Sequence, residues 1–260
     1  TEVGQDLSEN IQTVASTRSA FAALTNDGKV VTWGNPNHGG DSSSVEDLNK
    51  GTISHIFANK KAFAALKTDG SVVAWGDANN GGDTSGVGKQ LKDSVRQIYA
   101  TNGAFTALKS DGSLVTWGNP KRGGQITNQQ RKKLDAPIVK IVATNSAFAA
   151  LLSDGSVVAW GDQDGGGDQS DVAKKLKHDV VEIKATGSAF AALKRNGSVV
   201  SWGNVEAGGD SSEVRQQLKR GVLDIIGSNA AFAALKNDGS VVTWGDPEKG
   251  GDPDIRSERL

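Results

Sequence analysis

Three recurring or reactive residue types in this chain could carry chemistry: histidine, aspartate after paired glycines, and tryptophan. His38, His55 and His178 could bind a metal or carry a proton, because imidazole changes charge near neutrality. They stand in unlike sequence contexts, so they read as scattered surface residues. Asp41, Asp83, Asp168, Asp210 and Asp252 each follow Gly-Gly, with Gln125 taking that place once. Gly-rich motifs ending in aspartate hold calcium when they recur about every nine residues, so that adjacent turns share the ion. Here they recur about every 42. Capping of a following helical segment is the favoured role, since a carboxylate satisfies free N–H groups there. No Gly-x-Ser-x-Gly elbow, Gly-Lys-Ser/Thr phosphate loop or His-Glu-x-x-His pair occurs. The absence of cysteine removes thiol catalysis, thiolate metal sites and disulfides. The sequence therefore implies no catalytic residue, no metal and no cofactor.

The tryptophans say more. Trp33, Trp75, Trp117, Trp160, Trp202 and Trp244 are each followed by glycine and stand 42, 42, 43, 42 and 42 residues apart. A register kept that closely marks an internal repeat, and uniform repetition predicts one domain over 1–260 built of six copies. Of the 260 residues, 36% are apolar and 23% charged, enough for a core and unlike a disordered chain. The formal net charge of −1 disfavours binding dominated by phosphate contacts, so nucleic acid is not an expected partner. The basic clusters Arg131-Lys132-Lys133 and Lys174-Lys175-Leu176-Lys177 have acids nearby and read as solvated helix faces. No apolar run reaches 18 residues, and membrane insertion is not expected. With no methionine in the chain, Thr1 reads as a processed boundary.

Within one copy, Asp210-Ser211-Ser212 precedes Val214 and Leu218, which share one face of a capped two-turn helix. So short a helix is marginal alone and must lean on a neighbour. Val222 and Ile225 mark a first strand, with equivalents in every copy from Ile11 and Val14 onward. A second strand, rich in alanine, spans 231–235. Small side chains there suggest a crowded place such as the axis of a ring. Asp238-Gly239 then turns the chain, glycine supplying the positive φ of a tight hairpin. The returning strand 240–244 is apolar on both faces, as in a sheet covered on both sides. A loop opened by Asn35, Asp77, Asn119, Asp162, Asn204 or Asp246 follows Trp-Gly, and these residues read as turn caps rather than sugar ligands. Stacked in a line, such units leave two apolar ends, whereas a ring leaves none. The expected fold is mainly β: a six-bladed β-propeller of three-stranded antiparallel blades, each followed by a short helix. Thr1–Leu7 and Asp254–Leu260 occupy the same phase of the repeat, so the tail after Pro253 is expected to lie displaced.

Asp238-Gly-Ser-Val-Val-Thr-Trp-Gly245, with Val180-x-x-Ile183-x-Ala185 ahead of the matching segment of another copy, resembles the regulator-of-chromosome-condensation repeat superfamily along nearly the whole chain. In repeat length it is most similar to the propeller-type β-lactamase inhibitory protein. The resemblance implies a propeller that binds another protein. Members are usually seven-bladed, whereas six copies are counted here. The wedge and long loops of the family's exchange factors have no room in these units, and the Gly-Trp-Arg-His-Thr motifs of the plant ultraviolet receptor are absent. Aromatic hot spots of the inhibitor type also lack a counterpart, since the repeated phenylalanines and tryptophans fall in strands. Tyr99 and Phe57 are the outliers.

The copies differ most at the loop centres, which gives the candidate binding residues: Asn37, His38, Asn79, Asn80, Lys121, Arg122, Asp164, Glu206, Glu248 and Lys249. Variable loops on a constant scaffold are where binding concentrates. The six tryptophans are assigned to packing between blades. The expected function is a monomeric, non-enzymatic protein-binding module presenting those loops on one face. The alternatives are a multivalent lectin with glycan as partner, or an engineered or consensus scaffold with no natural ligand.

Overall fold

The computed structural model describes Leu7 and residues 10–252. The expectation about the tail after Pro253 falls outside them. Among the described residues, six three-stranded antiparallel sheets follow one another along the sequence, each with its strands in sequence order. These blades span 11–34, 53–76, 95–118, 138–161, 180–203 and 222–245. The chain divides into two compact units, 1–125 and 126–260, with three blades in each.

Blade five shows how the sequence specifies its sheet. Its strands are Val180–Ala185, Ala189–Lys194 and Val199–Gly203, and Phe190 lies directly opposite Trp202. Alternation along the second strand sends Phe190 and Ala192 to one side, and Ala189, Ala191 and Leu193 to the other. On the first side they join Ile183, Val200 and Trp202 against Ala147, Ala149 and Leu151 of blade four. On the other, the alanines meet Phe232 and Trp244 of blade six. The alanines therefore form a low floor that admits the next blade's aromatic pair. The crowding implied by small residues is that of sheet against sheet.

The Asp-Gly hairpins turn as expected, with Gly197 at φ 76°. Asp69 illustrates their chemistry: the Ser71 hydroxyl, and then the Ser71 backbone N–H, hold its carboxyl below the usual carboxylate range. Gly197 O also accepts from Val222 N at 3.0 Å, so a turn of one blade hooks the first strand of the next.

The connecting helix is shorter than expected in most copies. Asn128–Lys133 is the one α-helix among the described residues; we call it α1. Thr127 and Gln130 give it a reciprocal capping box. Elsewhere the connector is a 3-10 segment such as Gly88–Leu91 or Gln217–Lys219, or turns alone. Leu48, Leu91, Leu176 and Leu218 are nonetheless buried, so the anchoring leucine matters more than helical geometry. A lysine at the end of the second strand secures this segment. Lys109, Lys194 and Lys236 donate to the carbonyls of Gln90, Lys175 and Gln217 at 3.0, 2.9 and 2.9 Å.

One core position departs from the pattern. Thr106 stands where the other copies carry alanine. It is fully buried, and its Oγ1 has no hydrogen-bond partner among the described residues. A buried hydroxyl without a partner costs about 1–3 kcal/mol. Thr106→Val keeps the shape and removes the polar atom, so it is expected to stabilise the protein by about 1 kcal/mol. Urea denaturation checks this; an unchanged or lower midpoint contradicts it.

Candidate functional site

Each loop after Trp-Gly is a single tight turn with the same three fastenings. The first is the Asn or Asp that opens it. Asn35, Asn119 and Asp246 accept a hydrogen bond from the N–H two residues on, at 2.9, 3.0 and 2.9 Å. Asp77, Asp162 and Asn204 accept from the third residue on, at 3.1, 2.8 and 3.1 Å. The split follows proline: Pro36, Pro120 and Pro247 occupy the first turn position in the former set.

The second fastening is glycine. Gly39, Gly81, Gly166 and Gly208 have φ of 93°, 101°, 95° and 92°. A Cβ on any of the four would lie 2.6–2.7 Å from the phenylalanine ring of the next blade. The third fastening is a side chain 21 residues upstream, in the bend between the first two strands. Thr17, Asn59, Thr101, Thr144, Thr186 and Ser228 donate to the carbonyls of His38, Asn80, Arg122, Gly165, Ala207 and Lys249, at 3.2, 2.6, 2.8, 3.0, 3.0 and 2.9 Å. Sequence reasoning did not single out these six residues. The signal was present: a hydroxyl or amide always stands four residues before the repeated phenylalanine.

These loops are thus held to the strand bends, and both lie at one end of each blade. In the first unit the bends themselves are linked, Arg18 N to Lys60 O at 3.0 Å and Lys60 N to Asn102 O at 3.4 Å. In the second, Asn145 N reaches Gly187 O at 2.8 Å and Gly187 N reaches Asn229 O at 2.7 Å. Gly103 lies between two loops, since a Cβ there would meet Asn80 Oδ1 at 2.5 Å and Arg122 Cδ at 2.6 Å.

Asn37, Asn79, Lys121, Arg122, Asp164, Glu206, Glu248 and Lys249 are exposed, and His38 and Asn80 are half-buried. Within the first unit the structure brings Asn80 and Arg122 close together. His38 Nδ1 is engaged by Ser19 Oγ, and Asn80 Nδ2 by Asp77 Oδ1 at 3.0 Å. The strand bends add exposed Arg18 and Lys60 beside the first unit's loops. With Lys121 and Arg122, that end of the first unit is basic. The corresponding loops of the second unit carry Asp164, Glu206 and Glu248, with Lys249 as the countercharge.

The tryptophans support these loops rather than project from them. Trp75, Trp117, Trp160, Trp202 and Trp244 are buried, and each stacks on its blade's phenylalanine at 5.2–5.4 Å. Trp75, Trp117, Trp202 and Trp244 donate from Nε1 to the carbonyls of Gly39, Gly81, Gly166 and Gly208 in the preceding loop, at 2.9–3.0 Å. Asp41, Asp83, Asp168 and Asp210 each accept from a backbone N–H two residues on, at 2.8–2.9 Å, and so open the connector. Among the described residues no group of three or more His, Asp or Glu side chains is arranged to hold a metal, and no helix is long and apolar enough to cross a membrane. Tyr99 and Phe57 are partly buried within first strands, and burial raises the Tyr99 phenol above its usual value.

No protein-family model matches the chain, and no curated protein matches its sequence. Solved structures do match. Yeast RCC1 (Prp20), determined bound to Kap60, is 18% identical with a TM-score of 0.51, and the match covers 94% of this chain and 72% of that one. Human WBSCR16 is 14% identical with a TM-score of 0.54, over 94% of this chain and 78% of that one. A second structure of Prp20p, from Saccharomyces cerevisiae, is 19% identical with a TM-score of 0.47 over 75% of this chain. In that comparison this chain spans only 58% of its counterpart. The fold is therefore similar to that of these propellers, and the six sheets are consistent with a six-bladed one.

Proposed function

We propose that this protein is a non-enzymatic, protein-binding propeller domain of six repeats that presents its tethered loops to a partner. One observation carries the reading: six loops, five of them the same 3-10 turn and the sixth a wider single turn, are each fastened three ways and display side chains that differ from copy to copy. A rigid frame lowers the ordering cost of binding, and the variable positions supply specificity. Asn37, His38, Asn79, Asn80, Lys121, Arg122, Asp164, Glu206, Glu248 and Lys249 are the proposed contact residues. The tryptophans serve the frame. The yeast RCC1 of similar fold was captured with a protein partner, Kap60, which fits this reading.

The charge on the first unit's loop end favours an acidic protein segment there, recruited by Arg18, Lys60, Lys121 and Arg122. Reversing those four charges to glutamate is the test, read on an array of acidic and neutral peptides. Capture of acidic peptides by the unaltered protein should weaken with added salt and fall at least tenfold in the variant, about 1.4 kcal/mol. Equal capture by both proteins refutes the acidic-segment reading. Selective binding to a glycan array with no peptide capture would favour a lectin instead.

A further inference from the structure

A strand at the edge of a sheet turns half of its N–H and C=O groups outward, where the chain must cover them or leave them to another strand. Blade four covers its own. Along its third strand, Gln169 lies like a short extra strand: its Oε1 accepts from Ala159 N at 2.5 Å and its Nε2 donates to Val157 O at 2.7 Å. Gln130 Nε2 donates to Ala159 O at 2.9 Å, and Val157 N donates to Leu176 O at 3.0 Å. All four outward groups of Val157 and Ala159 are therefore paired.

Blade five leaves the same edge open. Val199 and Ser201 stand 42 residues after Val157 and Ala159. They also face outward, since the inward bonds of this strand are made at Ser198 O, from Lys194 N, and at Asn204 N, to Ser188 O. Ser211 replaces Gln169, and its hydroxyl reaches only the Ser201 hydroxyl, at 2.8 Å. The outward N–H and C=O groups of Val199 and Ser201 have no partner among the described residues. They line a cleft of about 1030 Å³ between the connectors that precede and follow the blade. The two ends of that cleft differ in charge. Asp164 and Glu206 stand on the loops at the Gly203 end, where Gly166 O holds Trp202 Nε1. Lys175 and Lys194 stand at the Ser198 end, with Lys194 Nζ on the Lys175 carbonyl at 2.9 Å.

We propose that the third strand of blade five is a docking edge for an extended peptide segment of a partner protein. The segment adds antiparallel, as a fourth strand, with basic residues at its N-terminal end and acidic residues at its C-terminal end. Antiparallel addition continues the order of the sheet. It sets the peptide's N-terminal end beside Asp164 and Glu206, and its C-terminal end beside Lys175 and Lys194. Main-chain bonds to Val199 and Ser201 supply affinity, and the end charges fix direction. Gln169 of blade four shows what such an edge accepts: an amide that offers a donor and an acceptor together. The site is a sheet edge in the second unit, so it does not rest on the acidic segment proposed for the first.

Fluorescence polarisation of the full chain with a labelled octapeptide, Lys-Arg-Thr-Val-Thr-Val-Glu-Asp, tests this. Saturable binding is expected, with the amide resonances of Val199 and Ser201 shifting as the peptide is added. The same peptide N-methylated at alternate residues keeps its side chains but loses main-chain donors, and should bind about tenfold more weakly or worse. Ser201→Ala combined with Ser211→Gln rebuilds on blade five the Ala159–Gln169 pair of blade four. That variant should keep its circular dichroism and lose about tenfold or more in binding. Lys175→Glu serves if the double variant fails to fold. It should weaken this octapeptide by about threefold and leave unchanged a peptide whose two terminal acids are replaced by serine. Absence of saturable binding, equal binding of the N-methylated peptide, or undiminished binding by the folded variants overturns the proposal.

Discussion

Replacing Trp202 by alanine is expected to destabilise the protein by about 3–5 kcal/mol, the range for deleting a buried large aromatic side chain. Trp202 is 4% exposed, stacks on Phe190 at 5.2 Å with planes 28° apart, and shares a cluster with alanines of the preceding blade. Its Nε1 also satisfies Gly166 O at 2.9 Å. Truncation would open a cavity the alanine floor cannot fill and would leave that carbonyl without its donor. The comparison that gives the number meaning is Trp33→Ala. Trp33 has the same sequence context but is only half-buried, so its loss is expected to cost less than half as much. Urea denaturation of both variants decides the matter. Equal losses would mean that burial against the preceding loop is not what the tryptophans contribute.

The second large effect concerns glycine. Gly208→Ala places a Cβ 2.7 Å from the Phe232 ring at a backbone φ of 92°. The left-handed conformation alone costs about 1–2 kcal/mol for a residue with a side chain. Overpacking a tight contact adds about 1–3 kcal/mol. A loss of about 3 kcal/mol is expected. Gly250→Ala separates the two contributions, because Gly250 has φ 104° but none of the described residues within 4 Å of the added atom. Only the conformational part, about 1–2 kcal/mol, should remain there. If both variants lose the same amount, the loop glycine does not seat the next blade's aromatic ring.

Much of the fold was legible because the repeat reports each feature six times. The Trp-Gly register, the Asp-Gly hairpin and the two-sided apolar strand each have one dominant local cause, and blade count followed from counting. The connector was read as a two-turn helix from Val214 and Leu218, but its length supports only a 3-10 turn in most copies. Helical spacing in so short a segment says which residues are buried, not which backbone form they take. The alanines were read as crowding at an axis. Their floor for the next blade's ring depends on how sheets stack, which period-two alternation alone does not specify.

The loop positions were visible as the places where copies disagree, but what holds them was not. Thr17, Asn59 and Ser228 differ in type, and their bonds span 21 residues. A pattern search for one conserved letter passes over a position whose common property is donating a hydrogen bond. The basic character of the first unit's loop end was hidden for a similar reason. Arg18 and Lys60 lie in strand bends, and only the packing of successive blades links those bends to each other and to Asn102 of the third blade.

The most direct measurement of the blade lock is hydrogen exchange at the six indole N–H groups, followed by nuclear magnetic resonance with 15N-labelled tryptophan. The indoles of Trp75, Trp117, Trp202 and Trp244 donate to buried loop glycines, so they should exchange only as fast as the blades open, with Trp33 far faster. If those four exchange as quickly as Trp33, the tryptophans do not fasten one blade to the next and the loops lose their rigid frame.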